Sequence, residues 1–268
     1  MIIDFHTHVF PDHIAPRALQ KLLSGITSQG RNDFAAYTDL TVAGLSRSMA
    51  QNGIDLSVVL PIATKPSQTQ SINDFAKSIT GGGLLSFGSL HPDQDDFAEI
   101  LADLKARGFK GIKLHPEFQN FYIDSPRSIA ILKQAEALGL VVVVHAGVDV
   151  GMPPPVHCTP KGLKNVLQHI RGDRLVAAHL GGFELWDQVE EHLVGTPIYL
   201  DTAVVGPYIG AAQYKRIIER HGADKILFAT DSPWEDQGEA VQTLRKLGLS
   251  PQALELILSQ NAERLLGL

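Results

Sequence analysis

The chain has 268 residues, 44% hydrophobic and 19% charged, a balance that supports a buried core and excludes a disordered chain. Its 23 basic and 29 acidic residues give a formal charge of -6 with no block of Lys and Arg, which argues against a nucleic-acid partner. One cysteine, Cys158, no charged-then-apolar leader and no apolar run of membrane-spanning length predict a protein of the reducing cytoplasm that does not enter a membrane.

In chain order, Met1 to Phe5 is apolar apart from Asp4 and reads as a short buried strand ending near His8. The stretch 13–39, mixed in charge, glycine and serine, predicts an irregular excursion with a little helix. From Thr41 the pattern becomes rhythmic. A helix to Asn52 precedes a strand in LSVVLPI (56–62), and a helix near 71–80 precedes LLSFGSLH (84–91). A helix over 95–107 closes on Gly108, and GIKLH (111–115), a helix over 126–138 and VVVVHAG (141–147) follow. A helix near 161–170, LVAAHLG (175–181), a helix near 184–193 and IYLDTA (198–203) continue the alternation. It ends with a helix near 211–221, ILFATDSP (226–233) and further helices.

Strands buried on both faces read as continuous apolar runs, as parallel sheets covered by helices require. Eight such runs, each followed by helix, predict a single (β/α)8 TIM barrel over residues 1–268. A doubly wound open sheet would show a glycine-rich phosphate turn after its first strand, where this chain has His6-Thr7-His8.

Active sites of such barrels form at the C-terminal strand ends. Of 11 histidines, six lie there: His6, His8, His91, His115, His145 and His179, joined by Lys113 and Asp231. His6 and His8 share a strand face by alternation, which is chelate geometry. Neutral imidazoles with a carboxylate suit Zn2+, and catalytic zinc keeps a position open for water. The other five histidines, His13, His157, His169, His192 and His221, read as solvated side chains. His91 either lines the pocket or caps the next helix. The proline-rich GMPPPVHCTP (151–160) predicts a fixed wall, Trp234 a ring-binding wall or a packed rim residue, and Cys158 a packed side chain; Asp201 is placed near the rim without a role.

DFHTHVFP, GIKLHPEFQNF, VVVVHAG, LVAAHLGG, ILFATDSPW and ILSQNAERLLGL together resemble the amidohydrolase superfamily. More narrowly they are similar to its amidohydrolase-related branch, which includes aminocarboxymuconate-semialdehyde decarboxylase, and the resemblance runs nearly end to end. It implies that His6, His8, His145 and Asp231 bind one divalent metal, Zn2+ with Mn2+ as the alternative, and that His179 stands beside the metal water. Asp231 then serves as general base and acid. Some relatives hold a second metal on a carboxylated lysine near the place of Lys113. Otherwise Lys113, His115, His91 and Trp234 are expected to face a small-molecule substrate. The branch contains hydrolases, decarboxylases and hydratases. The expected activity is metal-dependent hydrolysis of an amide, ester or lactone bond in a carboxylate-bearing compound, with non-oxidative decarboxylation as the alternative and a homo-oligomer left open.

Overall fold

The apolar runs form short parallel strands in the computed structural model, which describes residues 1–268. They are β1 (Ile3–Thr7), β2 (Leu56–Val59), β3, β4 (Gly111–Leu114), β5 (Val141–Val144), β6 (Leu175–Ala177), β7 (Tyr199–Asp201) and β8 (Ile226–Leu227). β3 is two segments, Leu84–Ser86 and Gly88–Ser89, on either side of Phe87; the first pairs with β2 and the second with β4. The remaining neighbours pair in sequence order. The circle closes where Phe5 N–H donates to Phe228 O at 2.9 Å and His8 N–H donates to Ser232 O at 2.8 Å. Together these make the expected eight-stranded barrel.

Alternation decides what faces inward. Val141 and Val143 pack in an inner cluster with Ile3, Phe5 and Phe87, whereas Val142 and Val144 join the larger cluster between sheet and helices. Ile112 and Leu114 also belong to that outer layer, so Lys113 between them is directed into the barrel, where it is fully buried. At the floor, Ala262, Leu265 and Leu266 of the last helix, Asn261–Leu266, complete the inner cluster.

Helices start where polar caps satisfy their free N–H groups. Thr41, Ser125, Thr159, Asp236 and Ser250 each accept from the backbone N–H three residues on. None of the helices is long and apolar enough to cross a membrane.

Three expectations are corrected. The stretch 13–39 contains a full helix, Ala15–Ser28, because Ser24, Thr27 and Ser28 turn their hydroxyls back onto carbonyls of the preceding turn instead of breaking it. The last strand ladder stops at Leu227, because beyond it side chains take over: Ala229 N–H donates to Thr202 Oγ1 at 2.9 Å and Thr230 N–H to Asp4 Oδ1 at 3.1 Å. Among the histidines expected in solvent, His13 and His169 are exposed, but His221 is buried, with Nε2 donating to Ile198 O at 2.9 Å. His157 and His192 are half-buried.

Asp4 holds the closure. Its Oδ2 accepts from Thr230 Oγ1 at 2.6 Å and Gln237 Nε2 at 2.7 Å, and its Oδ1 accepts from the backbone of Thr230 and His6. Burial raises its pKa to about 6 despite these donors. Asp4→Ala leaves buried donors unpaired at the seam and should cost about 2–4 kcal/mol, read as a lower urea midpoint at unchanged slope. A loss under about 0.5 kcal/mol would mean that apolar packing alone holds the seam.

Candidate metal centre

At the C-terminal mouth three ligand atoms meet. His6 Nε2 lies 3.2 Å from His8 Nε2 and 3.2 Å from Asp231 Oδ1, and His8 Nε2 lies 2.9 Å from the same oxygen. Two local departures from regular strand bring them together. The register of β1 against β2 shifts between Asp4 and Thr7, a bulge of the kind that re-aims side chains. Asp231 sits in the left-handed region at φ 54°, as does His179 at φ 58°, conformations that cost non-glycine residues energy and concentrate at functional sites.

Outer hydrogen bonds set which ring nitrogens carry protons. His6 Nδ1 is 3.0 Å from Asp201 Oδ2, so the proton belongs there and the Nε2 lone pair faces the mouth. Asp201, given no role by the sequence, also accepts from the backbone N–H groups of His179 and Ala203 through Oδ1. His179 donates from Nδ1 to Ala203 O at 2.9 Å, which leaves its Nε2 to accept from His145 Nδ1 at 3.0 Å.

Burial, with the nearby Lys113 charge, holds the His6 imidazole well below its usual range. Burial lowers Lys113 to about 8, partly opposed by Asp231 and Asp201. Burial pushes the Asp231 carboxyl up, but the His8 hydrogen bond, with the charge of Lys113 nearby, outweighs it and holds the group below the ordinary carboxylate range.

The expected site residues divide into groups. His6, His8 and Asp231 form one; His145 stands instead with His115 and Asp149. Lys113 Nζ lies 3.1 Å from His6 Nε2. His179 has both ring nitrogens bonded. His115 stacks on Phe118 and on His145, with ring centroids 4.0 Å and 4.3 Å apart. His91 accepts from Asp93 N–H at 3.2 Å within the turn after β3, and it does not cap the next helix, Phe97–Ala106, whose N-cap residue is Asp96. Trp234 is half-buried and packs against the outer apolar layer, its backbone N–H donating to Asp231 O. Cys158 is buried, and burial pushes its thiol well above the usual range.

Do these atoms fit a cation? Nitrogen and oxygen ligands about 2.1 Å from one zinc ion lie roughly 3.0–3.4 Å from each other, from octahedral to tetrahedral geometry. The His6–His8–Asp231 triangle, at 2.9–3.2 Å, has that spacing. Lys113 Nζ contests the His6 lone pair, and a cation entering there would displace that contact. The chemistry and the spacing both fit a divalent ion.

The amidohydrolase family model matches residues 3–268. The chain belongs to the amidohydrolase family. Members of this family are metal-dependent enzymes, and a divalent cofactor agrees with the two ligand groups of this amidohydrolase. No curated protein matches its sequence. Among solved structures, it is similar to an uncharacterized TIM-barrel protein from Bordetella bronchiseptica, with 20% identity, TM-score 0.76 and 99% and 98% of the two chains covered. A probable 2-pyrone-4,6-dicarboxylic acid hydrolase from Acinetobacter baumannii, with citric acid bound, shares 19% identity, TM-score 0.68 and 100% and 99% coverage. A 5-carboxyvanillate decarboxylase from Novosphingobium aromaticivorans, with bound manganese, shares 13% identity, TM-score 0.73 and 100% and 97% coverage. At such identities the likeness concerns the fold.

Beside the mouth, Glu235 is buried and accepts from Val204 N–H at 2.9 Å; burial raises its pKa from 4.5 to about 8. The folded chain therefore keeps a proton that the unfolded chain releases, and this group's contribution to stability is lost as pH rises from 4.5 through 8. Glu235→Gln keeps the accepted hydrogen bond without the ionisation. Its melting temperature should exceed the parent's above pH 8, by about 1–3 kcal/mol in stability, and the gain should vanish below pH 4.5. A difference independent of pH would show that the carboxyl does not titrate in this window.

Proposed function

We propose that this amidohydrolase uses one Zn2+ ion held by His6, His8 and Asp231 to hydrolyse an amide, ester or lactone bond in a small carboxylate-bearing compound of the cytoplasm. Residues 1–268 act as one domain in this reading. The observation that carries it is the triangle of ligand atoms beside a fully buried cationic side chain, Lys113. Bound there, zinc polarises a carbonyl and lowers the pKa of water toward about 7.

The residues divide the remaining work. Asp231 faces His6 and His8 through Oδ1, and its Oδ2, without a hydrogen bond, takes the proton of the attacking water and returns it to the leaving atom. Lys113 supplies the charge that holds the substrate's carboxylate. Phe183, T-shaped to His179 with centroids 6.0 Å apart, and the stacked Phe34 and Tyr208 build an aromatic wall close by. That wall suits a planar substrate.

The same wall favours a second reading, non-oxidative decarboxylation of an aromatic acid, in which Asp231 delivers a proton to carbon as CO2 leaves. The fold shared with the 5-carboxyvanillate decarboxylase supports it as well.

Turnover of pyrone, lactone and hydroxybenzoate acids in 18O-water separates the two. Hydrolysis places 18O in the product acid, whereas decarboxylation releases CO2 and places none. Absence of both with every substrate would reject the substrate class. Asp231→Asn should lower kcat by at least about 100-fold while retaining much of the metal, and the proton-transfer role is wrong if activity survives. Replacing His6 and His8 together by Ala should strip this ion; unchanged metal content by elemental analysis would overturn the ligand assignment. Lys113→Met should raise KM for carboxylates about 10-fold with a smaller change in kcat.

A further inference from the structure

The floor of the barrel, at the end away from the metal centre, gathers positive charge that no internal partner neutralises. A cavity of about 190 Å3 there is bordered by Lys105, Lys110, Arg174 and Arg264, with Leu265 and Leu266 as its apolar wall. None of these four cations is paired with a carboxylate, in a chain whose 29 acidic residues outnumber its 23 basic ones. Glu136, which shares a neighbouring cleft with Arg174, is turned to Arg171, as is Asp173. We propose that this cavity binds the phosphate group of a small soluble ligand, independently of the reaction at the opposite end of the barrel.

The fold places the four groups. Lys110 and Arg174 immediately precede β4 and β6, and their carbonyls accept from Val141 and Val142 N–H, both at 2.9 Å, so the intervening β5 fixes their spacing. Lys105 stands in the last turn of the helix Phe97–Ala106. Its Nζ lies over Gly139, where a Cβ would come within 3.8 Å of it; at φ 68° that glycine makes the turn into β5 without strain. Arg264, on the last helix, is anchored through Nη2, which donates to Asp224 O at 2.6 Å and Asn261 Oδ1 at 2.8 Å. The N–H groups of its Nε and Nη1 remain free, and the side chains of Lys105, Lys110 and Arg174 make no hydrogen bond within the chain.

Like charges in one hollow repel, and an apolar wall focuses their field on whatever enters. A dianionic, tetrahedral phosphate offers acceptors in several directions at once, which suits two guanidinium forks and two ammonium groups converging from separate elements; a single carboxylate offers one charge and one plane. The cavity is smaller than the roughly 300–1,000 Å3 that encloses a whole ligand, so it takes a head group and leaves the remainder outside. The cations converge on one hollow and do not form the stripe that tracks a nucleic-acid backbone.

Calorimetric titration with inorganic phosphate, at ionic strength held constant with chloride, should show one equivalent bound at the floor, together with a rise in melting temperature. Phosphate held by a metal at the mouth is distinguished with the His6→Ala/His8→Ala variant, which should keep the floor equivalent. Lys110→Gln/Arg174→Gln, which removes two charges without breaking any internal hydrogen bond, should weaken it at least about 10-fold and abolish the thermal shift. Melts of this variant without phosphate should match the parent and so separate a lost ligand from a lost fold. Equal binding by parent and Lys110→Gln/Arg174→Gln overturns the assignment, as does loss of all binding in His6→Ala/His8→Ala. A parent that takes up no phosphate at millimolar concentration also overturns it; co-sedimentation of that parent with phosphatidic acid vesicles would then assign the floor to a membrane surface instead.

Discussion

The mouth of the barrel depends on where a few protons are kept. Asp201 binds the Nδ1 proton of His6 while accepting the backbone N–H groups of His179 and Ala203, so a single buried carboxylate ties β1, β7 and the turn after β6. Ala203 O performs the same service for His179. Outer acceptors thus turn lone pairs inward before any cation arrives, and hydrogen-bond partners on the far ring nitrogen set both ring orientation and ligand basicity. Without Asp201, His6 could take either tautomer and its lone pair could point away from Asp231.

The electrostatics follow from that order. Burial disfavours charge on His6, His115 and His145 and holds all three well below the usual histidine range. Lys113 lies among them with its pKa lowered to about 8, so the centre holds one readily released proton in a nest of neutral rings. Asp231 is the exception, an ionised carboxylate held in a left-handed backbone conformation. Strain and charge thus concentrate on the one residue proposed both as ligand and as proton carrier.

Much of this was legible in the sequence because parallel-barrel strands are apolar runs and a histidine or lysine at their ends stands out. His6, His8, His145, His179, Lys113 and Asp231 could be placed at one mouth from position alone. Position does not say which nitrogen meets which partner. His145 turning toward His115 and Asp149 depends on the path of the loop after β5, where Asp149 stands only four residues downstream. Asp201 was visible as the last residue of its strand but is silent until its partners are known, since a strand-end carboxylate can face solvent, metal or another ring. The helix Ala15–Ser28 was hidden by its serines and glycine; the hydroxyls of Ser24, Thr27 and Ser28 fit it by bonding back along the chain. His221 reads as a surface residue at a helix end and is buried only because Ile198 O is there to receive it.

The floor formed by the last helix bears on how the chain is made. Ala262, Leu265 and Leu266 sit in the same inner cluster as Ile3 and Phe5, and closure joins Phe5 to Phe228. During vectorial synthesis the first strand therefore leaves the ribosome long before its partners exist. Until residues 228–232 have emerged, the nascent barrel is an open sheet with two unpaired edges. Non-local closure of this type folds slowly and exposes intermediates to association. A barrel sealed this late leaves its unfinished edges open to association for most of its synthesis.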